Sequence, residues 1–242
     1  MKSLKKYRDH FLDLKFERKL EFFRRKKFLE LVSELQYNSV LEVGCGIDSV
    51  CNYLDKNVSC TIIEPIEEFC DIAKKNLKNK NLKVFNSFLE DFKVEVKFDL
   101  IIVNCLLHEI HDKIKFICKI KNLMNQSSYV FFTVPNKNSL HRNIALKMGI
   151  IKSTAEKSTT QIRLQQSDDV FSLKSFQTFL KDKGFNILKK GGYFLKPFTH
   201  HQMKKILDNE IIDDKILNGL YMVGQEIEEL SSEIYCLCKK NN

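Results

Sequence analysis

The stretch NSVLEVGCGIDSV, residues 38–50, decides the fold that the sequence predicts. Its apolar run from Val40 to Val43 ends abruptly at Gly44-Cys45-Gly46, which indicates a buried strand that turns sharply into a helix. Because glycine has no Cβ, such a turn lets the backbone approach a bound small molecule, and the N–H groups of the following helix point toward it. Glycines also serve purely structural turns in α/β domains, so the residues downstream have to decide between the two interpretations.

Strand-like and helix-like patterns alternate along the chain on both sides of this turn. The predicted strands are residues 40–43, 58–63, 82–85, 98–103, 129–134, 185–195 and 233–238. The predicted helices are residues 4–36 with one break, 49–54, 66–77, 114–123, 138–148, 173–183, 199–208 and 213–230. Ser172 and Gly184 are the expected caps of helix 173–183. Alternating strands and helices predict an α/β fold with a doubly wound, seven-stranded, mostly parallel sheet joined by right-handed crossovers.

The composition narrows the class of protein. The 242 residues contain no apolar run near the roughly 20 residues that span a bilayer. Residues 1–28 lack the apolar core of a secretory signal, so we expect no membrane insertion and a cytoplasmic location. The eight cysteines lack the paired spacing of a zinc site and are expected to be reduced and buried.

The formal net charge of +9 raises the question of nucleic-acid binding. The basic residues are dispersed along the chain, apart from the run at residues 24–27, so nucleic acid is not the favoured partner. At helical spacing, one face of the N-terminal segment carries Leu12, Phe16, Leu20, Phe23, Lys27 and Leu31. We expect an amphipathic helix that packs on the domain and leaves its basic side in solvent, the alternative being a basic rim beside an anionic substrate.

Polar residues collect where the predicted strands end, which is where ligands bind in a doubly wound sheet. Glu42 and the glycine turn end the first strand, Glu64 ends the second, and residues 88–91 and 104–109 follow the third and fourth. Glu64 lies 18 positions beyond Gly46 (64 minus 46), which suits a carboxylate that accepts hydrogen bonds from both ribose hydroxyls. The sequence therefore predicts a nucleoside site. A dinucleotide-binding dehydrogenase is the competing interpretation, but GCGIDS lacks the third glycine of GxGxxG.

In these motifs the chain resembles the class I S-adenosylmethionine-dependent methyltransferases. The resemblance covers about residues 40–134 as ordered motifs: LEVGCG (41–46), IIEP (62–65), FLEDF (88–92), FDLIIVNCLLHEI (98–110) and YVFFTVPN (129–136). The ending EIYCLCKK (233–240) looks like the last, antiparallel strand of their Rossmann-like fold. The resemblance implies a methyltransferase domain at 37–242 behind an N-terminal helical segment at 1–36. Its cap would comprise about 136–170, including a mobile cover at 149–166, and 196–230.

The resemblance also implies S-adenosylmethionine as cofactor and names the residues that hold it. Those on the methionine and ribose side are Glu42, Gly44, Cys45 and Gly46; Glu64 and Pro65 lie at the ribose hydroxyls; Phe88 and Leu89 flank the adenine; and Asn104 lies beside the methionyl part. Two positions depart from the family pattern. Asp48 stands where many members have a third glycine, and Phe88 stands where many have an adenine-binding aspartate.

Methyl transfer to a hydroxyl needs a base, and histidine is the natural one near neutral pH. His108 follows the fourth strand and Glu109 is placed to orient it; His141 is the second candidate. Glu109, Asn136 and Arg142 are candidate acceptor contacts, and arginine in particular pairs well with phosphate or carboxylate. His200 and His201 fall in the cap. No cluster of residues in the sequence suggests a metal site, so we expect metal-independent transfer.

The distal segments VPNKNSLHR (134–142) and GGYFLKPFTHHQM (191–203) resemble parts of bacterial methyltransferases linked to O-methylation of surface-polysaccharide sugars. This resemblance implies a nucleotide-linked or phosphorylated sugar as acceptor. A quinone-type ring hydroxyl, RNA, and a catalytically idle cofactor-binding subunit are the alternatives. The sequence does not specify the oligomeric state.

Overall fold

Seven strands form one sheet in the computed structural model, which describes residues 3–76, 81–157, 161–162, 164 and 170–241. The strands are β1 (Ser39–Val43), β2 (Ser59–Glu64), β3 (Leu82–Asn86), β4 (Phe98–Asn104), β5 (Met124–Pro135), β6 (Phe185–Tyr193) and β7 (Glu233–Lys240). Their order is β3-β2-β1-β4-β5-β7-β6. β7 is antiparallel to both its neighbours, and every other pair is parallel. The predicted doubly wound, seven-stranded, mostly parallel sheet is confirmed.

The described helices follow the predicted order, with two local differences. They are α1 (Leu4–Leu12), α2 (Glu17–Val32), α3 (Glu67–Lys75), α4 (Lys113–Asn122), α5 (Leu140–Lys147), α6 (Leu173–Asp182), α7 (His200–Asp208) and α8 (Asp214–Glu226). The helix expected at 49–54 is only a 3-10 turn, Val50–Tyr53, at whose start the Ser49 side chain accepts a hydrogen bond from Cys51 N–H. The helix expected at 213–230 ends at Glu226, and a 3-10 turn follows at Glu228–Leu230. Residue 77 of the predicted third helix and much of 158–169 lie outside the described residues.

Helix α2 is part of the main core. Its buried apolar residues include Leu20, Phe23 and Phe28, and Phe28 packs on Phe131 of β5 at 5.2 Å between ring centroids. Each fully buried side chain of this kind contributes on the order of 2 to 3 kcal/mol. The prediction that the N-terminal segment packs on the domain is therefore correct, although Leu12 of the predicted apolar face is exposed.

The basic side of α2 is solvated only in part, where full solvation was expected. Arg18 is exposed, but Arg24 is only 8% exposed; Lys27, on the face predicted to pack, is 7% exposed. Arg24 donates to both carboxylate oxygens of Glu233 at 2.9 and 2.5 Å and pairs with Glu17 at 2.8 Å. These acids compensate the buried charge, which is why the helix turns a cation inward.

The chain leaves β6 through a tight contact with α8. Phe194 has a positive φ of 62°, and a Cβ built on Gly224 would lie 2.3 Å from the Phe194 nitrogen. Only a glycine lets the helix approach this backbone so closely. The contact sets the direction in which residues 195–199 run toward α7.

None of the described helices is long and apolar enough to cross a bilayer. The eight cysteines are free thiols, and six of them are buried as expected, whereas Cys105 is half-buried and Cys118 is exposed.

Candidate active site

One cavity of about 1600 Å³ opens at the carboxyl ends of the central strands. The ends of β1, β2 and β4 contribute to its lining, together with side chains from α1, α2, α5 and α7. All six histidines of the sequence line it: His10, His108, His111, His141, His200 and His201. Pockets for a single small molecule measure about 300 to 1000 Å³. The cavity therefore has room for two ligands side by side.

The glycine turn predicted from the sequence forms part of the lining. Gly44 and Gly46 have positive φ angles of 75° and 55°, where a residue with a Cβ is strained. A Cβ at Gly44 would meet Leu106 Cδ2 at 3.3 Å, and one at Gly46 would meet Phe11 Cζ at 3.6 Å. Cys45 between them also lines the cavity and is buried. A ligand at this turn would contact backbone, as the sequence predicted.

Glu42 holds the turn together. Its buried carboxylate accepts hydrogen bonds from the Ser49 hydroxyl and from the N–H groups of Val50 and Cys51, the latter two at 3.1 and 3.4 Å. Burial raises the pKa of this carboxyl, and the hydrogen bonds oppose that shift. Glu42 lines the cavity as predicted, but its oxygens already serve the 3-10 turn after the strand.

Glu64 is the acid best placed for a nucleoside. It is 4% exposed at the end of β2 and accepts hydrogen bonds from Ile66 N–H at 2.9 Å and Gly46 N–H at 3.4 Å. Burial raises its pKa to about 7 despite these bonds. A buried carboxylate with this pKa, facing a cavity, gains stability from further donors. The two ribose hydroxyls of S-adenosylmethionine are such donors, so the residues present fit that cofactor.

The remaining predicted cofactor residues also line the cavity. Pro65 follows Glu64, Leu89 is buried, and Phe88 stands half-exposed at the rim. Asn104 ends β4, where its side-chain oxygen accepts a hydrogen bond from the Thr133 hydroxyl at 3.4 Å. An apolar pair beside a polar turn is the environment that an adenine ring and its ribose require. The structure therefore brings the whole predicted cofactor set to one place.

His108 and Glu109 are buried side by side in a 3-10 turn after β4. His108 Nε2 lies 3.9 Å from Glu109 Oε1, and the Tyr7 hydroxyl donates to the same oxygen at 3.0 Å. Burial and the neighbouring carboxylate raise the pKa of Tyr7, so its hydroxyl stays protonated as a donor. Glu109 thus connects the candidate base to α1. The sequence predicts that Glu109 orients His108 and also contacts the acceptor, and both roles stay predictions.

Asn136 and Arg142 line the cavity, but their polar atoms have partners within the chain. The Asn136 amide donates to the carbonyls of Glu229 and Ser231, both at 2.9 Å, and its oxygen accepts from Asn138 N–H at 3.0 Å. Arg142 donates to the carbonyls of Thr154 and Glu156 and to Gln161 Oε1. These contacts join both side chains to neighbouring segments of the chain, and their predicted acceptor roles stay predictions.

His141 lies on α5 with its Nδ1 buried and without a hydrogen-bond partner among the described residues. Burial, together with the positive charge of Lys196, lowers its pKa to about 2. The ring is therefore neutral at pH 7. A group with so low a pKa is a weak proton acceptor, which makes His141 a poorer base than the sequence suggested.

The structure adds residues that sequence patterns did not single out. Tyr7 and Glu21 bring the N-terminal helices to the site; Glu21 Oε1 lies 3.7 Å from the position of a Cβ on Gly46, and burial raises its pKa to about 7. Lys196 lines the opposite part of the wall and is 4% exposed. The only signal for Lys196 was its place in the distal motif at 191–203. The sequence contains no comparable signal for Tyr7 and Glu21, because helical periodicity does not predict which strand ends a helix will cover.

Within the described ranges, no three His, Cys, Asp or Glu side chains gather as a metal site.

Comparison with known proteins assigns the family. A family model described as "Methyltransferase domain" matches residues 4–190. The chain belongs to the methyltransferase domain family. The prediction of a methyltransferase is confirmed, and the match begins within α1, so it includes the N-terminal helices. Among curated proteins, none matches the chain.

Solved methyltransferase structures share the fold at low sequence identity. The plantazolicin methyltransferase BamL, in complex with a triazolic desmethylPZN analog and SAH, matches at 19% identity with a TM-score of 0.56, over 98% of this chain and 86% of that one. The N-methyltransferase NodS from Bradyrhizobium japonicum WM9, in complex with S-adenosyl-L-homocysteine (SAH), matches at 13% identity with a TM-score of 0.55, over 94% and 88%. A protein from Listeria monocytogenes described as an S-adenosylmethionine-dependent methyltransferase matches at 13% identity with a TM-score of 0.61, over 92% and 100%. SAH is the product of S-adenosylmethionine, and its presence in two of these structures is consistent with the predicted cofactor.

Proposed function

We propose that this methyltransferase moves the methyl group of S-adenosylmethionine to a hydroxyl of a small polar acceptor, a nucleotide-linked or phosphorylated sugar used for surface polysaccharide. The observation that carries the proposal is that His108 shares one cavity with the glycine turn and with a wall of histidine and lysine side chains. The volume of about 1600 Å³ supports the simultaneous presence of cofactor and acceptor.

The cofactor half of the cavity is the part around Gly44, Gly46 and Glu64. Glu64 would accept from the ribose hydroxyls, the turn would hold the methionine part, and Phe88 with Leu89 would flank the adenine. When bound, S-adenosylmethionine supplies a methyl group on a sulfonium, which a nucleophile displaces in line. The chain contributes alignment and exclusion of water, and such positioning lowers a barrier by up to roughly 7 to 11 kcal/mol.

The acceptor hydroxyl must lose its proton as the new C–O bond forms and the S–C bond breaks. His108 would take that proton at an imidazole nitrogen, with Glu109 3.9 Å away to stabilise the imidazolium. His108 is preferred to His141 because the pKa of His141 is lowered to about 2. A histidine base does this without a metal ion, which agrees with the metal-independent transfer expected from the sequence.

The test is turnover on a panel of nucleotide sugars, sugar phosphates, neutral quinols and RNA, read as SAH formed and product mass. On the true acceptor, we expect His108→Ala to lower kcat by about 10² to 10⁴-fold and to leave SAH affinity within about threefold. His111→Ala is the matched control, since His111 lies exposed on the rim of the same cavity. Full turnover of the His108 variant would remove the base assignment, and methylation of quinol or RNA alone would remove the sugar assignment.

Transfer to nitrogen is the second candidate, because one structural neighbour is named an N-methyltransferase. A neutral amine attacks the methyl group through its lone pair, and the methylated ammonium then releases its proton to water, so His108→Ala would cost less. A product whose methyl group is on nitrogen would decide for this candidate.

A further inference from the structure

Lys196 is a buried cation that the proposed chemistry does not use. It follows Phe194, where the chain leaves β6, and it is only 4% exposed on the cavity wall. Its ammonium group forms no hydrogen bond or ion pair with the described part of the chain, whereas the other buried cations, Arg24, Lys27 and Lys113, each have a hydrogen-bond or ion-pair partner. An unpaired buried charge is costly, and such a group normally has a ligand.

The nearest acids do not neutralise Lys196. Glu17 and Glu233 attract its charge, but both carboxylates already pair with Arg24. Burial lowers the pKa of Lys196 to about 8, which still leaves it mostly protonated at pH 7. Within the described residues, therefore, neither carboxylate forms a hydrogen bond or ion pair with this ammonium group in the cavity wall.

Two imidazoles face the same region from other elements. His141 lies on α5 and His200 in the first turn of α7, and both have a buried Nδ1 without a hydrogen-bond partner among the described residues. Lys196 lowers the pKa of each of them, so the three groups lie within electrostatic range of one another. On the other side of His200, the Glu17 carboxylate lies 3.9 Å from Nε2. An anion bound beside Lys196 would oppose this lowering and favour the protonated form of both rings, in which each imidazole nitrogen is a donor.

The number of these nitrogen groups, and the different directions from which they enter the cavity, favour one kind of anion. Lys196, His141 and His200 lie in three different parts of the chain, and Lys205 of α7 adds positive charge elsewhere on the wall, whereas Lys204 is paired with Asp208. A phosphoryl group offers three oxygens in different directions and up to two negative charges, whereas a carboxylate offers two oxygens in one plane. Arg142 does not compete for this role, because its guanidinium is held by the cap.

We propose that Lys196, His141 and His200 form a subsite for a phosphoryl group of the acceptor, a phosphate monoester or diphosphate. The inference rests on the proposed function, which it deepens by naming the part of the acceptor that is recognised. The subsite holds the phosphoryl group at the Lys196 wall, and the rest of the acceptor extends toward the cofactor half of the cavity.

Calorimetry on the SAH-saturated protein tests this, with inorganic pyrophosphate, inorganic phosphate and acetate as three separate ligands. We expect pyrophosphate or phosphate to bind and acetate to bind at least tenfold more weakly. Lys196→Met should weaken pyrophosphate binding by at least tenfold. Lys56→Met removes the same charge from an exposed site outside the cavity and should change it by less than twofold.

Thermal unfolding and SAH affinity of each variant show whether the fold is retained. His200→Asn is the second variant if Lys196→Met does not fold, and it should weaken pyrophosphate binding by about threefold or more. Equal binding of acetate and phosphate, no binding by the wild type, or unchanged binding by the variants would overturn the subsite. Methylation of sugars that lack phosphate would overturn the subsite and leave the proposed O-methylation standing. Pyrophosphate binding without any O-methylated product would support the subsite and overturn the proposed O-methylation.

Discussion

Arg25 of α2 forms an ion pair with Asp48, two residues after the glycine turn. The Tyr53 hydroxyl donates to both Asp48 oxygens at 3.1 Å, and the Arg25 guanidinium lies 3.8 Å from the centre of the Tyr53 ring. Asp48 stands where many related methyltransferases have a third glycine. Here that position joins the N-terminal helices to the cofactor turn.

Asp48→Asn should weaken SAH binding by about three- to tenfold, because the partly exposed ion pair contributes about 1 kcal/mol to the position of α2 over the turn. Isothermal calorimetry at low and high salt measures it, and the difference from wild type should shrink as salt screens the pair. Glu34→Gln, an exposed charge change just after the same helix, is the control. Unchanged affinity at low salt would show that the pair does not support the site.

Tyr7→Phe removes the hydroxyl that donates to Glu109 at 3.0 Å. Because a hydrogen bond to a charged group contributes about 1.5 to 3 kcal/mol, we expect SAH to dissociate about tenfold faster, measured by stopped-flow displacement. Tyr129→Phe is the matched control, since no hydrogen bond of its hydroxyl is found and its ring lies on β5 away from the cavity. If wild type and Tyr7→Phe release SAH at the same rate, the Tyr7 hydrogen bond does not help α1 to retain the cofactor.

The raised pKa of Glu64 gives cofactor binding a pH dependence of defined sign. Ribose hydroxyls donate to the ionised carboxylate, so SAH affinity should rise as the pH increases through about 7, with release of a proton on binding. In the protein without ligand, the contribution of Glu64 to the free energy of unfolding changes with pH in the opposite direction. The folded pKa lies above the ordinary value of 4.5, so this group's contribution to the free energy of unfolding is full below pH 4.5 and is lost as the pH rises through about 7.

Calorimetry in two buffers of different ionisation enthalpy at pH 7 measures the proton release. Glu64→Gln should bind SAH at least tenfold more weakly at pH 8 and should lose most of the pH dependence. Proton uptake in place of release would contradict the assignment of Glu64 to the ribose.

Much of this architecture could be predicted from the sequence, because it depends on local patterns. Apolar runs gave the seven strands, and the spacing from Gly46 to Glu64 gave the nucleoside half of the site. The acceptor half could not be predicted in the same way. Arg142 pairs well with phosphate in general, but here cap carbonyls 12 and 14 residues away take its donors. The buried state of Lys196 depends on how α7 and α8 pack, which no local pattern encodes.

Alanine substitutions at two glycines of α8 distinguish the effect of close packing on stability from the effect of helix propensity. Gly224→Ala would place a Cβ 2.3 Å from the Phe194 nitrogen, so the backbone must shift, and we expect the free energy of unfolding to fall by about 3 kcal/mol or more. Gly219→Ala meets nothing within 4 Å and should stabilise the protein by up to about 1 kcal/mol. Urea unfolding followed by circular dichroism compares the pair. Similar stability of the two variants would mean that α8 can move away from Phe194.

Helix α1 lines the cavity with Tyr7 and Phe11, yet each of its residues keeps part of its surface in solvent. An element with so few buried contacts opens at a small fraction of the free energy of global unfolding. Its backbone amides should therefore exchange with solvent deuterium through local opening. The amides of β1 and β4 should exchange only when the whole sheet unfolds. A molecule seated under α1 would slow only the first kind of exchange, which makes residues 4–12 a built-in reporter of cofactor occupancy that needs no acceptor and no turnover.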